Sequence, residues 1–339
     1  MSGARGAGSE EWRTIDLDRG DDGVRVDRVL LRHLRREKAV SRNRIQKWIE
    51  AGNVLVNGTA PPRPAWRIQA GDELRVRVSE IPKRARPQAQ ALAIDILYED
   101  DDLLAVNKPP GLVVHPSFGN VSGTLMNGLL ALAHSWPAGS KPALVGRLDK
   151  HTSGIVLVTK RTEIYAAVQR AMDARRVDKD YLAIVRGKPS PPRGSINLAL
   201  DRDPWDRRRV TVTDRGGQPS VTRYERLSSV NGYSLVRCRL ITGRTHQIRV
   251  HLAAKQWPIV GDATYGFPLI RLKPDTTHPD MDLAATFPRQ ALHSWRVALR
   301  QPRTGRELLI EAPMPADMAA LADAIGLPAV ALALEGLPA

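Results

Sequence analysis

Val26, Val29, Leu30 and Leu34 recur at helical spacing, while Arg28, Arg32, Arg35 and Arg36 fall largely on the other side, so this stretch predicts an amphipathic helix with a basic face. Ser41 is placed to cap a second helix in which Ile45, Trp48 and Ile49 turn inward, Arg42, Arg44 and Lys47 line the start and flank, and Gly52 marks the end. The period then changes to two. VLVNG predicts a short strand, and after a Pro-rich loop LRVRV sets Leu74, Val76 and Val78 on one face and Arg75 and Arg77 on the other. The following EIPKRARPQAQAL has no apolar period, and residues 80–91 are expected to link two independently folded pieces.

Beyond the linker, AIDILYEDDDLLAVNKPPG predicts two strands joined at an acidic turn and stopped by Pro-Pro-Gly. A helical candidate covers residues 122–134. Leu144 and Val145 lead into GRLDKHTSG, and IVLVT leaves it as an apolar strand, so that motif sits on a loop between strands. Thr162 is expected to cap a helix over 163–175, and YLAIVRG forms another strand. VTRYERL and YSLVRCRLIT alternate around Asn231-Gly232, a strong hairpin signal. GRTHQIRVHLAA reads as a helix, ALHSWRVAL as a late strand, and the tail holds one short helix. Strands joined mostly by hairpins imply an α+β fold, a largely antiparallel mixed sheet with flanking helices. The expected organisation is a disordered tail over 1–23, a small domain over 24–79, the linker, a second domain over 92–313, and a C-terminal helix and tail over 314–339.

Charge changes this picture by naming a partner. The 339 residues carry 51 Lys and Arg against 36 Asp and Glu, a formal net charge of +15, and residues 24–86 alone hold sixteen cations and six acids. Such a field attracts polyanions, nucleic acid first. No apolar run approaches the roughly 20 residues that span a bilayer, and MSGARGAGSEEWR has no stretch resembling a signal peptide. The single Cys238 lies in an alternating stretch and reads as a structural thiol, which fits a reducing cytoplasm.

GRLDKHTSG is the candidate chemistry. Arg147 and Lys150 flank Asp149, and nearby cations favour an ionised carboxylate, ready as nucleophile or base. By itself, an Asp in such a turn ties a loop through its own backbone bonds. Tyr181 by itself is a core aromatic, and Arg249 a surface arginine on a helix. His246 and His251, five apart, do not stack on one helical face and no HExxH is present, so no metal is expected. Lys108 and Lys179 are expected to meet phosphates. His115, His151 and His293 carry no assigned task.

Two resemblances join these pieces. SRNRIQKWIEAGNVLVNG resembles the alpha-L RNA-binding module of ribosomal proteins, which implies phosphate contacts through Arg28, Arg32, Arg35, Arg36, Arg42, Arg44 and Lys47. VNKPPGLVVHP, GRLDKHTSGIVLVTK, KDYLAIVRG, TGRTHQIRVHLA and GDATYG, in this order, resemble the RluA/RluD family of pseudouridine synthases over roughly residues 24–300. That resemblance implies isomerisation of uridine in RNA without metal or cofactor, with large-subunit ribosomal RNA the expected substrate and transfer RNA the alternative. It makes Asp149 the essential aspartate, acting as nucleophile on the sugar or as base toward a sugar proton. It further makes Arg147 the residue that fills the gap left by a flipped nucleotide, Tyr181 the aromatic that stacks on the base, and Arg249 the partner of the aspartate. Gly146 stands where histidine is common and His151 where aspartate is frequent, and 267–288 looks like an insertion. A noncatalytic RNA-binding assembly factor would be expected to have lost Asp149 or Arg249; a glycosidic hydrolase would need a second cooperating carboxylate. A monomer is expected.

Overall fold

The computed structural model describes residues 12–35, 40–78, 87–117, 120–206, 208–266, 284 and 286–328, and the chain divides into two compact units, Met1–Arg86 and Pro87–Ala339. In the first unit, β1 (Trp12–Ile15), β2 (Val54–Val56) and β3 (Leu74–Arg77) form a sheet in the order β1-β3-β2. Helices α1 (Val26–His33) and α2 (Arg42–Glu50) bury Val26, Leu30, Ile45 and Trp48 with Val54, Leu74 and Val76 in one core, as the helical and alternating periods require. Ser41 caps α2, its hydroxyl accepting from the Arg44 amide at 3.3 Å.

The expected disordered tail over 1–23 is corrected in its second half. Trp12–Ile15 pairs antiparallel with Leu74–Arg77, and the Trp12 ring lies 5.8 and 5.3 Å from the Arg75 and Arg77 guanidinium carbons. Four residues of mixed polarity carry too little period to announce a strand; the edge of β3 supplies the order. Residues 1–11 lie outside the described residues.

The second unit contains β4 (Asp95–Glu99), β5 (Leu103–Lys108), α3 (Leu125–Leu132), β6 (Ala143–Val145), β7 (Ser153–Thr159), α4 (Thr162–Asp173) and β8 (Asp178–Arg186). It continues through β9 (Arg193–Asn197), β10 (Leu200–Arg202), β11 (Val210–Val212), β12 (Val221–Val230), β13 (Tyr233–Leu240) and α5 (Gln247–Ala254) to β14 (Leu292–Arg300), β15 (Glu307–Glu311) and α6 (Ala316–Ala324). Among the described residues ten strands make one sheet, ordered β4-β5-β7-β14-β8-β13-β12-β9, with β6 beside β7 and β15 beside β14. Every pairing is antiparallel except β7 with β14, which makes the sheet mixed. The runs LLAV and IVLV are continuously apolar because both faces are covered: Leu104, Val106, Val156 and Val158 pack with Leu129 of α3, while Leu103, Ala105, Ile155 and Leu157 pack with Ile164 and Val168 of α4.

α6 buries Met318, Leu321 and Ala322 in the main core, so the helix expected in a separate C-terminal segment belongs to this unit. Likewise the end of the expected linker is anchored: the Gln88 carbonyl accepts from Asn127 Nδ2 and Gln90 Oε1 from the Gly123 amide. Phe287, at the end of the expected insertion, is in the core, whereas 267–283 and 285 are outside the described residues.

One irregularity positions the site. β7 pairs with β14 only at Ser153 and Gly154 and with β6 over Leu157–Thr159, so the sheet splits between them and the loop 146–152 emerges at the split. The approach is close: Gly154 has φ +104°, and a Cβ there would lie 2.2 Å from the Ser294 carbonyl oxygen. Gly154→Ala is therefore expected to destabilise the protein by at least roughly 1–3 kcal/mol, the usual cost of overpacking, with backbone strain added. Denaturant unfolding checks it; a stability within 0.5 kcal/mol, about the range of inert surface changes, contradicts it.

Candidate active site

The loop after β6 starts at Gly146, whose φ of +81° favours glycine over a residue with a side chain. It is then held from three directions. The Lys150 carbonyl accepts from the Gly111 amide at 2.8 Å and Lys108 Nζ at 3.1 Å, the His151 carbonyl from Arg289 Nη1 at 3.3 Å, and Thr152 Oγ1 from Gln290 Nε2 at 3.2 Å. The Thr152 amide closes the turn onto the Asp149 carbonyl at 3.1 Å.

This corrects Lys108, expected to meet RNA phosphate. It is 1% exposed and donates also to the carbonyls of Pro109 and Leu112 at 2.8 and 3.0 Å, so three acceptors match the three N–H groups of the ammonium. Burial and the Arg289 charge push the amine down to about 7, and Asp149 pulls the other way. Lys108 is a buttress of the loop, placed there because Pro-Pro-Gly turns the chain back over its own lysine.

Arg249 arrives from the opposite side. His246, at φ +55°, turns the chain into α5, and Gln247 fixes that turn: its Oε1 accepts from Thr242 Oγ1 and the Arg244 amide, and its Nε2 donates to the Val221 carbonyl and Thr222 Oγ1. Arg249 Nη1 then reaches Asp149 Oδ2 at 2.9 Å, across 100 positions of sequence. Its Nε and Nη2 donate at 2.7 and 2.9 Å to the two oxygens of Asp262. The cation against Asp149 is thus Arg249; its sequence neighbours Arg147 and Lys150 are exposed.

Asp262 is the residue that sequence reasoning left unassigned, although GDATYG contains it. Its Oδ1 also accepts from the Thr264 and Tyr265 amides at 2.9 and 3.1 Å. Burial pushes this carboxyl up, but Arg249 and the two amides outweigh burial and hold it below the ordinary carboxylate range. Burial likewise opposes the charge on Arg249, and Asp262 with Asp149 more than restores it, so the guanidinium stays charged. Tyr265 covers the pair, its ring 4.9 Å from the Arg249 guanidinium carbon. The Tyr265 hydroxyl lies 2.8 Å from His246 Nδ1 and accepts from the Val210 amide.

Asp149, Arg249, Arg147 and Tyr181 line one cleft of about 580 Å³, with His246 and Lys179, a size usual for small-ligand sites. Tyr181 stands in a row across three strands, Gly154 beside Ser294 beside Tyr181, at the split in the sheet. Its phenol, hydrogen-bonded to Ser294, is pushed up to about 12 by burial and so carries its proton at neutral pH. Burial pushes Lys179 down to about 8, and its Nζ lies 3.7 Å from Met172 Sδ. Burial lowers His246 and so favours the neutral imidazole, against the pull of Asp149; its Nε2 is 3.7 Å from Asp149 Oδ1, longer than a hydrogen bond. His251 is a satisfied core residue, bonded to Thr222 Oγ1 and the Leu198 carbonyl.

In the first unit Arg28, Arg35 and Lys47 are exposed. Arg32 and Arg42 are exposed as well but spend charge internally, Arg32 on Asp18 and Asp21 and Arg42 on the buried Asp27. Arg44 lies 5.4 Å from the Trp48 ring centroid, and Arg36 is outside the described residues. Asp18, Asp21 and His33 have ligand atoms close enough for a metal, but the Arg32 guanidinium already bridges both carboxylates.

The geometry has counterparts in known proteins. A family model described as RNA pseudouridylate synthase matches residues 102–254, and an S4 domain model matches 24–74. A ribosomal large subunit pseudouridine synthase D of Nitrosomonas europaea is 39% identical over 322 residues, covering 94% of this chain and 90% of that one. The chain belongs to the RNA pseudouridine synthases. An uncharacterized RNA pseudouridine synthase, YlyB, of Bacillus subtilis is 38% identical over 312 residues, 91% of this chain and 96% of its own. The solved structure of human RNA pseudouridylate synthase domain containing 4 superposes with a TM-score of 0.55 at 27% identity, over 68% of this chain and 92% of that one. The antiparallel mixed sheet and the small S4 unit are thus those of a pseudouridine synthase. Against a hydrolase, the second carboxylate that Asp262 supplies is held ionised by Arg249 and two amides, the opposite of a proton donor.

Proposed function

We propose that this enzyme, acting in the cytoplasm, converts uridine to pseudouridine in large-subunit ribosomal RNA, with Asp149 as the reacting carboxylate. The observation that carries the reading is the 2.9 Å contact of Asp149 with Arg249 inside a cleft that also holds Tyr181 and Arg147. Arg249 occupies Oδ2 and leaves Oδ1 for the sugar of a nucleotide swung out of its helix, since reacting atoms are inaccessible in stacked RNA. Arg147, exposed at the cleft wall, fills the vacated place in the RNA. Tyr181 offers its ring to the uracil while the base detaches, turns and rejoins through carbon 5, and its protonated phenol stays uncharged beside that ring. The relatives named for large-subunit ribosomal RNA support the choice of substrate.

Mapping pseudouridines in total RNA from cells with and without the gene tests this. Loss of a position in large-subunit ribosomal RNA is expected; loss only in transfer RNA, or no loss, overturns it.

The S4 unit supplies affinity through phosphates rather than bases, with Arg28, Arg35 and Lys47 exposed for the purpose. Each unit buries its own core. Removing residues 1–86 is therefore expected to weaken RNA binding and flatten its salt dependence, with three lost phosphate contacts removing about 2–3 from the log–log slope, while turnover at saturating RNA changes less. Filter binding across a salt series checks this; an unchanged slope contradicts it.

A further inference from the structure

A second groove, of about 720 Å³, runs between the end of α4 and the β14–β15 hairpin. Four arginines line it, Arg170, Arg175, Arg176 and Arg300, against two acids, Asp178 and Glu307. Both acids are already neutralised: Asp178 accepts from Arg239 Nη1 at 2.9 Å and Glu307 from Arg300 Nη2 at 3.0 Å. Arg170, Arg175 and Arg176 are exposed, and among the described residues none of the three is ion-paired with a carboxylate. Their backbone is fixed where α4 ends. Arg175, at φ +56°, donates its amide to the Met172 carbonyl at 2.9 Å, and Arg176 to that of Ala171 at 2.8 Å. The groove is continuous with the catalytic cleft, because Arg175 and Asp178 line both. Its floor is apolar, with Ala167, Ala171 and the 48% exposed Leu309.

We propose that this groove is a docking track for the RNA segment flanking the target nucleotide, with Arg170, Arg175 and Arg176 meeting successive phosphates and the Leu309 ledge taking a ribose or base face. The inference rests on the reading that the cleft accepts an extruded uridine: a strand delivering one nucleotide to the cleft must leave past its rim, and Arg175 forms that rim. Charge complementarity selects the occupant, since three uncancelled guanidinium groups in one groove repel a basic protein surface and suit a polyanion.

The test is the full chain carrying Arg170→Gln and Arg176→Gln together, the two arginines that line the groove and not the catalytic cleft, with circular dichroism and the unfolding midpoint confirming the fold. Oligouridylates of about five and about twenty nucleotides, a short probe for the cleft and a long one for cleft and groove, are titrated across a salt series. The long oligomer is expected to bind the variant about tenfold more weakly, with a salt slope shallower by about 1.4 for two single-strand phosphates. The short oligomer is expected to bind both proteins alike. On unmodified large-subunit ribosomal RNA, KM is expected to rise with kcat within about twofold, the signature of lost uniform binding. Unchanged binding of the long oligomer overturns the proposal, and so does an equal loss for both lengths. If the wild type forms no pseudouridine while the variant still loses the long oligomer selectively, the isomerase reading fails and the groove stands.

Discussion

Asp149→Asn is expected to reduce pseudouridine formation by more than about 10³-fold, over 4 kcal/mol of transition-state stabilisation, while RNA affinity stays within about twofold. The two halves have separate causes. An amide is neither nucleophile nor base, so whichever role the carboxylate plays is removed. The loop itself is anchored by Lys108, Gly111, Arg289 and Gln290 through groups other than the Asp149 side chain, so its shape should survive. Arg249 keeps its bidentate bond to Asp262 and stays in place. Removing one negative charge from a surface that receives a polyanion can only favour binding slightly, which fixes the sign of the small change. Single-turnover formation of pseudouridine and a binding isotherm at fixed salt check the pair of outcomes. A variant within tenfold of the wild-type rate would remove Asp149 from the chemistry.

How much of this was legible before any coordinates depends on whether the signal is local. The helices carrying Val26, Leu30, Ile45 and Trp48, and the hairpin around Asn231-Gly232, were readable because period and turn chemistry act over a few residues; Asn231 and Gly232 take the positive φ values, 49° and 76°, that such a turn needs. The strand Trp12–Ile15 was not, since its order comes from an edge sixty residues away in the chain. α5 was visible as a helix but not as a buried one: Gln247 through Leu252 are all buried, Arg249 and His251 included, and no apolar stripe announces that. Its polar side chains are satisfied instead by Thr222, Asp149 and Asp262, partners that only the fold brings near. The same reason hides Lys108, which next to Pro-Pro-Gly reads as a solvated cation and is in fact wrapped by three carbonyls, one of them 42 positions ahead. Asp262 looks like a turn residue, and the hydrogen bonds its carboxylate accepts from the Thr264 and Tyr265 amides are indeed those of a turn. Only the bond to Arg249 gives it a second task.

That second task sets the next expectation, that Arg249→Met should be the most damaging single change in stability while also abolishing turnover. The Arg249 side chain is 7% exposed and the Asp262 side chain 1%, so this is a buried pair, and removing one partner from such a pair costs about 3–5 kcal/mol because the other charge is left stranded. Asp149 at the same time loses the donor that holds Oδ2, so activity should fall even where the variant remains folded. The pH dependence separates these effects. In the wild type Asp262 titrates below its unfolded value, so its contribution is complete above the ordinary carboxylate range and is lost as pH falls through the folded value. Without Arg249, burial is the largest influence left, so Asp262 titrates higher in the variant than in the wild type and the variant gains relative stability on protonation. The stability deficit should therefore be largest near neutrality and shrink toward pH 4, roughly the unfolded carboxylate pKa. Adding Asp262→Asn to Arg249→Met should recover part of the stability by removing the stranded charge, yet recover none of the activity, because nothing then orients Asp149. Urea unfolding at several pH values, run on wild type, both single variants and the double variant, measures the cycle. A deficit independent of pH, or a double variant as active as the wild type, would show that Arg249 serves only as packing.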